Sequence, residues 1–136
     1  MKKALPLLII IGLQLLCNIT KAQNSNITIS TSPSSGGNWL TTTVGSDITY
    51  TFTPNTNNAV LNNADIVNRL YGATGYTIGN VTISTANPSG TESGSITIAS
   101  EIRTINRSTT RYTLQLIAAG DMLINGNFEM SASNSP

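Results

Sequence analysis

Histidine is absent from this 136-residue sequence, and its single cysteine, Cys17, lies in an apolar N-terminal stretch. Catalytic groups of the Ser-His-Asp and Cys-His types need a histidine base, and the usual zinc sites need histidine or cysteine ligands. The sequence therefore excludes these arrangements. A disulfide within the chain is excluded as well, so the fold depends on backbone hydrogen bonds and a packed core.

Charge is scarce, and lysine is confined to the beginning of the chain, at Lys2, Lys3 and Lys21. Downstream of residue 22, four arginines face six carboxylates, and four minus six gives a net charge of −2. The arginines are Arg69, Arg103, Arg107 and Arg111, and the carboxylates are Asp47, Asp65, Glu92, Glu101, Asp121 and Glu129. This balance supplies no basic field, so nucleic acid is not an expected partner.

The N-terminal residues have the order of parts found in a secretory signal peptide. Lys2 and Lys3 precede the apolar run 4–16, and the small residues Thr20 and Ala22 mark a cleavage site before Gln23. The apolar run is too short to span a bilayer. Residues 1–22 are therefore predicted to be removed, which predicts an exported protein, secreted or displayed at the cell surface. The alternative is a lipoprotein anchored through Cys17.

Alternating apolar and polar residues predict several half-buried strands in the rest of the chain. The clearest are 26–31, 48–53, 76–85, 95–100 and 113–117, which are rich in isoleucine and threonine. Loop-forming residues at 32–37 and 54–58 separate the first strands. This pattern predicts an all-β fold.

One segment has a helical pattern. Ile66 and Leu70 share a helix face, Asn63 can cap the first turn, and Gly72 stands where a C-terminal glycine belongs. We predict one short helix at residues 64–71.

One strand phrase recurs along the chain. Residues 26–31, 80–85 and 95–100 are near-copies of one another, and 122–125 is a degenerate fourth copy. Gly79, Gly94 and Gly120 precede the last three copies. Stacked repeats of this kind would form a continuous apolar column and satisfy each other's backbone groups. A small antiparallel β-sandwich with threonine-rich strands remains the alternative.

The order of four phrases resembles that of bacterial filamentous-haemagglutinin-type adhesins. The phrases are residues 63–70, 76–85, 94–100 and 113–126, of which the last, TLQLIAAGDMLING, is the most specific. The resemblance covers residues 58–130. It implies a right-handed parallel β-helix, passage through outer-membrane export machinery, and service as a surface stalk or adhesin. Such adhesins are much longer than this chain, which is expected to be the start of one.

This interpretation predicts four parts. Residues 1–22 form the signal peptide, residues 23–58 an N-terminal β cap, and residues 59–130 the β-helix rungs with their short helix at 64–71. Residues 131–136 are expected to be a loose tail at a truncation point.

The sequence contains few residues that could form a catalytic or ligand-binding site. The carboxylates are scattered singly, and the sequence has no glycine-rich phosphate loop, so we expect no enzyme, no cofactor and no metal. Trp39 and Tyr50 are weak candidates for an aromatic platform that binds a sugar. The competing interpretation has Trp39 packing as a lid on the end of the stack and Tyr50 facing inward with Ile48 and Phe52.

These observations predict a non-catalytic, adhesin-like structural protein whose partner is a host or cell-surface receptor or a glycan. A small secreted carbohydrate-binding β-sandwich is the second interpretation, and it requires Trp39 and Tyr50 to be exposed together. A catalytic β-helix is the third, and it requires carboxylates clustered on one strand face.

Overall fold

A computed structural model describes residues 23–72, 75–106 and 112–132, and in this part the chain is all-β with one short helix. The predicted signal peptide and Cys17 lie outside these residues, as do Arg107 and Arg111. The elements are β1 (Ile27–Ser30), β2 (Gly37–Val44), β3 (Asp47–Pro54), β4 (Ala59–Asn62), α1 (Asn63–Tyr71), β5 (Asn80–Ser84), β6 (Ile96–Ile98), β7 (Ile102–Asn106), β8 (Leu114–Ile117), β9 (Met122–Ile124) and β10 (Phe128–Ala132).

The first sheet has the order β4-β1-β6-β9, and all of its pairs are parallel. Three of the four repeated phrases stack here as predicted, because Ile27 pairs with Ile96, and Ile96 pairs with Met122. The first strand of the described residues therefore lies between two strands that follow it in sequence. Strand β1 is thus an interior strand of the sheet, and the N-terminal β cap at 23–58 stays a prediction.

The second sheet has the order β2-β3-β5-β8. Strands β2 and β3 form an antiparallel hairpin, and Gly45 supplies the positive φ of 63° that its tight turn requires. Strands β3, β5 and β8 are parallel. The repeated phrase at Asn80 thus belongs to a different sheet from the other three, and its strand starts at Asn80 instead of residue 76.

The third sheet is the parallel pair of β7 and β10. Helix α1 packs chiefly against β7. Each strand of the series β5, β6, β7 therefore pairs in parallel with its counterpart in the series β8, β9, β10. Ser131 and Ala132 belong to β10. Residues 133–136 lie outside the described part, so the loose tail at 131–136 stays a prediction.

The core lies between the three sheets and beneath α1. It consists of Ile27, Ile29, Tyr50, Phe52, Ala59, Leu61, Ile66, Leu70, Val81, Ile83, Ile96, Ile98 and Ile102. Ile66 and Leu70 come from α1, and most of the others are apolar members of alternating strands. Thr28, Thr51, Thr82 and Thr97, which intervene in those strands, are exposed or partly exposed. Burying one such aliphatic side chain stabilises the fold by about 1.5–3 kcal/mol before conformational entropy is subtracted.

The recurring polar residue before each strand also has a structural role. The side-chain oxygen of Asn26 accepts a hydrogen bond from the backbone N–H of Ser95 (2.8 Å), and that of Asn80 accepts one from Thr113 (2.9 Å). The hydroxyl of Ser95 accepts in turn from the N–H of Asp121 (3.2 Å). Each of these side chains thus accepts a hydrogen bond from the backbone of the neighbouring strand, one residue before the backbone pairing of the two strands begins.

The helix begins with a different cap from the one predicted. Asn62, not Asn63, accepts a hydrogen bond from the N–H of Ala64 at 2.8 Å, while the Asn63 amide donates to the carbonyl of Glu101. Asn62 fills this position because its backbone is extended, with φ −69° and ψ 129°, as an N-cap requires. Gly72 ends the helix in the left-handed conformation, as predicted. Among the described residues, no helix has the length and apolar character needed to cross a membrane.

Candidate functional site

Trp39 and Tyr50 lie on adjacent strands of one hairpin and face the same side. Trp39 is opposite Phe52 in the register and meets it edge to face, with ring centroids 5.3 Å apart. Tyr50 is only 6% exposed, and its hydroxyl donates to the carbonyl of Thr77 at 2.7 Å. The inward position of Tyr50 beside Phe52 is the one that the packing interpretation predicts.

Arg69 occupies the space between these rings. Its guanidinium carbon lies 3.9 Å from the Trp39 ring centroid, 4.2 Å from that of Tyr76 and 5.6 Å from that of Tyr50. The residue is only 6% exposed. We call Arg69, Trp39, Tyr50 and Tyr76 the arginine–aromatic cluster. Cation–π attraction is strongest where water is excluded, so the cluster ties α1 to the hairpin.

Hydrogen bonds hold the guanidinium in place. Nη1 donates to the carbonyl of Asp65 at 2.9 Å, and Nη2 donates to the hydroxyl of Tyr76 at 3.2 Å. The Asp65 carboxylate lies 4.0 Å from Nη1 and also accepts from the Ser34 hydroxyl at 2.6 Å. The negative carboxylate and the two electron-rich rings at close range offset the burial of the charge.

The cluster bears on the sugar-platform hypothesis. A sugar stacks on an open ring face, and here Arg69 already covers a face of Trp39, while Tyr50 is buried. The structure thus brings the two predicted aromatic residues together, but around a cation of the chain itself. Sequence reasoning missed Arg69 and Tyr76 as members. The only local signal was an arginine one helical turn after Asp65, a spacing typical of ordinary helix ion pairs.

Glu92 is the carboxylate with the most contacts to other segments. Its Oε2 accepts from the backbone N–H of Asn26 at 2.7 Å and from that of Asn58 at 2.9 Å. These two residues precede β1 and β4, so one side chain holds the starts of two neighbouring strands in register. Next to it, the Asn57 amide donates to the Thr91 hydroxyl at 2.7 Å. Glu92 therefore serves the fold.

The other carboxylates with described contacts also have structural partners. Glu129 forms a half-exposed ion pair with Arg103 at 3.4 Å, and Asp65 is held by Ser34 and Arg69. Within residues 23–72, 75–106 and 112–132, no group of three or more histidine, cysteine, aspartate or glutamate side chains could hold a metal ion.

A shallow groove of about 360 Å³ lies between α1 and the bend that joins β6 to β7. Its lining combines an apolar floor with hydroxyl, amide and charged side chains: Thr31, Asn63, Ala64, Val67, Ser100, Glu101 and Arg103. Such a lining can hydrogen-bond a small polar molecule. It contains no aromatic ring on which a sugar could stack.

Comparison of the chain with family models, with curated proteins and with solved structures found no match. The resemblance to filamentous-haemagglutinin-type adhesins therefore stays a prediction that depends on the phrases in the sequence.

Proposed function

We propose that this chain is an exported, non-catalytic structural protein of the cell surface, adhesin-like, and built as a right-handed parallel β-helix. The observation that supports this most directly is the pairing of β5, β6 and β7 with β8, β9 and β10, in chain order and always in parallel. Stacked coils of one repeated path produce this pattern.

We infer the right-handed sense of the proposed β-helix from a general rule about parallel strands. Strands β5 and β8 are parallel neighbours in one sheet, and the chain between them passes through the other two sheets. Parallel strands joined by such a crossover are right-handed in nearly all proteins, because strands twist to the right. A small antiparallel β-sandwich, the alternative architecture, draws support only from the β2–β3 hairpin, since the other six described strand pairs are parallel.

Engineered disulfides test the stacking. Thr82 pairs with Gln115, and Thr97 pairs with Leu123, so their Cα atoms lie within bridging distance in the proposed coils. We expect Thr82→Cys with Gln115→Cys, and Thr97→Cys with Leu123→Cys, to oxidise to intramolecular bridges in the leaderless chain. The matched control combines Thr82→Cys with Leu123→Cys, which lie in different sheets and should not bridge. Bridging in the control, or in neither test pair, contradicts the stacked arrangement.

The surface role rests on the leader and on the outward faces. Lys2, Lys3 and the apolar run that follows them predict export. The outer face of the second sheet presents uncharged hydroxyl and amide side chains, with Thr51, Thr82 and Gln115 side by side. The adhesin class further implies outer-membrane export machinery and a receptor or glycan as partners, and the surface above suits hydrogen bonding to polar groups.

Localisation and binding are tested separately. We expect an antibody raised against residues 23–58 to label intact cells that produce the full chain, and external protease to remove that label. Retention of the chain in the cytoplasm would contradict the proposed export. Purified protein immobilised on beads should then adhere to host cells or arrayed glycans. Surface display without adhesion would contradict the adhesin role and would be compatible with a purely structural role at the surface.

A further inference from the structure

The predicted cleavage site has a chemical consequence for the exported chain. All lysines of the sequence, Lys2, Lys3 and Lys21, precede the cleavage site between Ala22 and Gln23. Within residues 23–136 the single primary amine is therefore the α-amine of Gln23. A glutamine at this position carries its own electrophile, the side-chain carboxamide, within reach of that amine.

The structure shows how Gln23 is held. Its backbone carbonyl accepts a hydrogen bond from the N–H of Asn87 at 3.0 Å. The following residue, Asn24, bridges Ala86 and accepts from the N–H of Glu92 at 3.0 Å. Gln23 itself is exposed, and within the described part of the chain no hydrogen bond involves its side chain. The chain is thus anchored from the Gln23 carbonyl onward, and the residue that supplies both reacting groups is exposed.

We propose that Gln23 becomes a pyroglutamate after export, an inference that rests on the proposed export and cleavage. The lone pair of the α-amine attacks the side-chain Cδ, a new N–Cδ bond closes a five-membered lactam, and the Cδ–Nε2 bond breaks. The amide nitrogen leaves as ammonia and takes a proton from the former amine. The reaction needs no oxidant and no second substrate. The reacting groups belong to one residue, which gives the high effective molarity of an intramolecular reaction.

Ring closure is compatible with the fold. The lactam uses the backbone nitrogen and the side chain, so the carbonyl that binds the N–H of Asn87 is retained. After ring closure residues 23–136 contain no primary amine, and the N-terminus no longer titrates near neutral pH. An aminopeptidase, which needs a free α-amine, then has no substrate at this end of the molecule.

The test uses the full chain, leader included, exported by a Gram-negative host and recovered outside the cytoplasm. After cleavage at arginine, the terminal peptide is 23–69, and we expect its mass to be lower than calculated by one ammonia. The same peptide at full mass, even after prolonged incubation at neutral pH, overturns the inference and leaves the export standing. A peptide that begins at another residue overturns the cleavage position and the inference together. An intact leader on cytoplasmic protein overturns the proposed export itself.

Gln23→Asn supplies the matched control. It keeps a terminal carboxamide, but its ring would be one atom smaller and strained, so its amine stays free. An amine-reactive dye should label this variant at its one α-amine and leave the wild-type chain at background. Equal labelling of the two proteins would overturn the proposal.

Discussion

The arginine–aromatic cluster shows how one residue can connect two elements of a small fold. Arg69 comes from the last turn of α1, while Trp39 and Tyr50 come from the two strands of the hairpin. The guanidinium lies 3.9 Å from the Trp39 ring centroid and is only 6% exposed, so its attraction to the rings is weakly screened. The cluster therefore stabilises the fold because Arg69 is buried. The residues next to Arg69 in the sequence do not indicate this burial.

Arg69→Ala should lower the free energy of unfolding by about 2–4 kcal/mol, because it removes a desolvated cation–π stack and leaves a void beside Trp39. Urea denaturation followed by Trp39 fluorescence measures this, since the indole reports directly on the lost contact. Arg103→Ala is the control. Its ion pair with Glu129 is half-exposed, and its loss should change stability by less than about 1 kcal/mol. Equal effects of the two substitutions would contradict the role of the cluster.

Alanine substitutions at two glycines with similar backbone conformations distinguish the cost of backbone strain from the cost of a steric clash. Gly94 and Gly45 have φ angles of 77° and 63°, where a side chain is disfavoured. A Cβ at Gly94 would lie 2.8 Å from that of Asn24 and 2.9 Å from that of Ala119, whereas one at Gly45 meets nothing within 4 Å. Gly45→Ala should therefore cost about 1 kcal/mol, and Gly94→Ala about 1–3 kcal/mol more. Similar thermal midpoint shifts for both variants would show that the close approach at Gly94 is relaxed.

At the scale of elements, strand β1 joins what would otherwise be two separate parts of the first sheet. It pairs with β4 on one side and with β6 on the other, and both of its isoleucines are buried. The Glu92 carboxylate fixes the beginning of β1 by accepting a hydrogen bond from the N–H of Asn26. The stability of the sheet therefore depends on a strand only a few residues from the predicted mature N-terminus.

Ile29→Ala should destabilise the protein by about 2–5 kcal/mol, because the side chain is fully buried between two strands and its loss leaves a cavity. Thr28→Ala, on the opposite face of the same strand, should change stability by less than about 1 kcal/mol. Guanidinium unfolding of both variants measures the difference. A cost at position 28 as large as that at position 29 would mean that β1 is not oriented as described.

Periodicity was sufficient to predict β1, β6 and β8, because their apolar residues alternate and face one core. Strand β2 was not predicted, since Gly37–Val44 has no clean alternation and most of its residues are exposed; it is a strand because it pairs with β3. The position of β5 in a different sheet from the other copies depends on long-range pairing, which a local phrase does not encode. The arginine–aromatic cluster was missed for the same reason, because its members come from the hairpin, from α1 and from the segment that follows α1.

For the whole molecule, we expect the protection of backbone amides against hydrogen exchange to decrease from the interior strands of the sheets to the edge strands. Strands β1, β3, β5 and β6 have a neighbour on each side, whereas β9 has one neighbour, and Met122, Leu123 and Ile124 are all about half exposed. Amides that bond between two interior strands should exchange with deuterium on the order of 100-fold more slowly than those of β9, because edges open without global unfolding. Hydrogen exchange with mass spectrometry measures the gradient. Uniform exchange would indicate that the molecule opens only as a single unit.

The position of β1 also sets an order of events. Its Ile27 meets Ala59, 32 residues later (59 − 27), and Ile96, 69 residues later (96 − 27). A chain delivered from its N-terminus presents β1 before its partners, and both neighbours of β1 are available only once residue 98 has emerged. Of the four interior strands, β1 is thus separated from its last neighbour by the longest stretch of chain. Until then Ile27 and Ile29 lack the cover that the two neighbouring strands complete in the folded molecule.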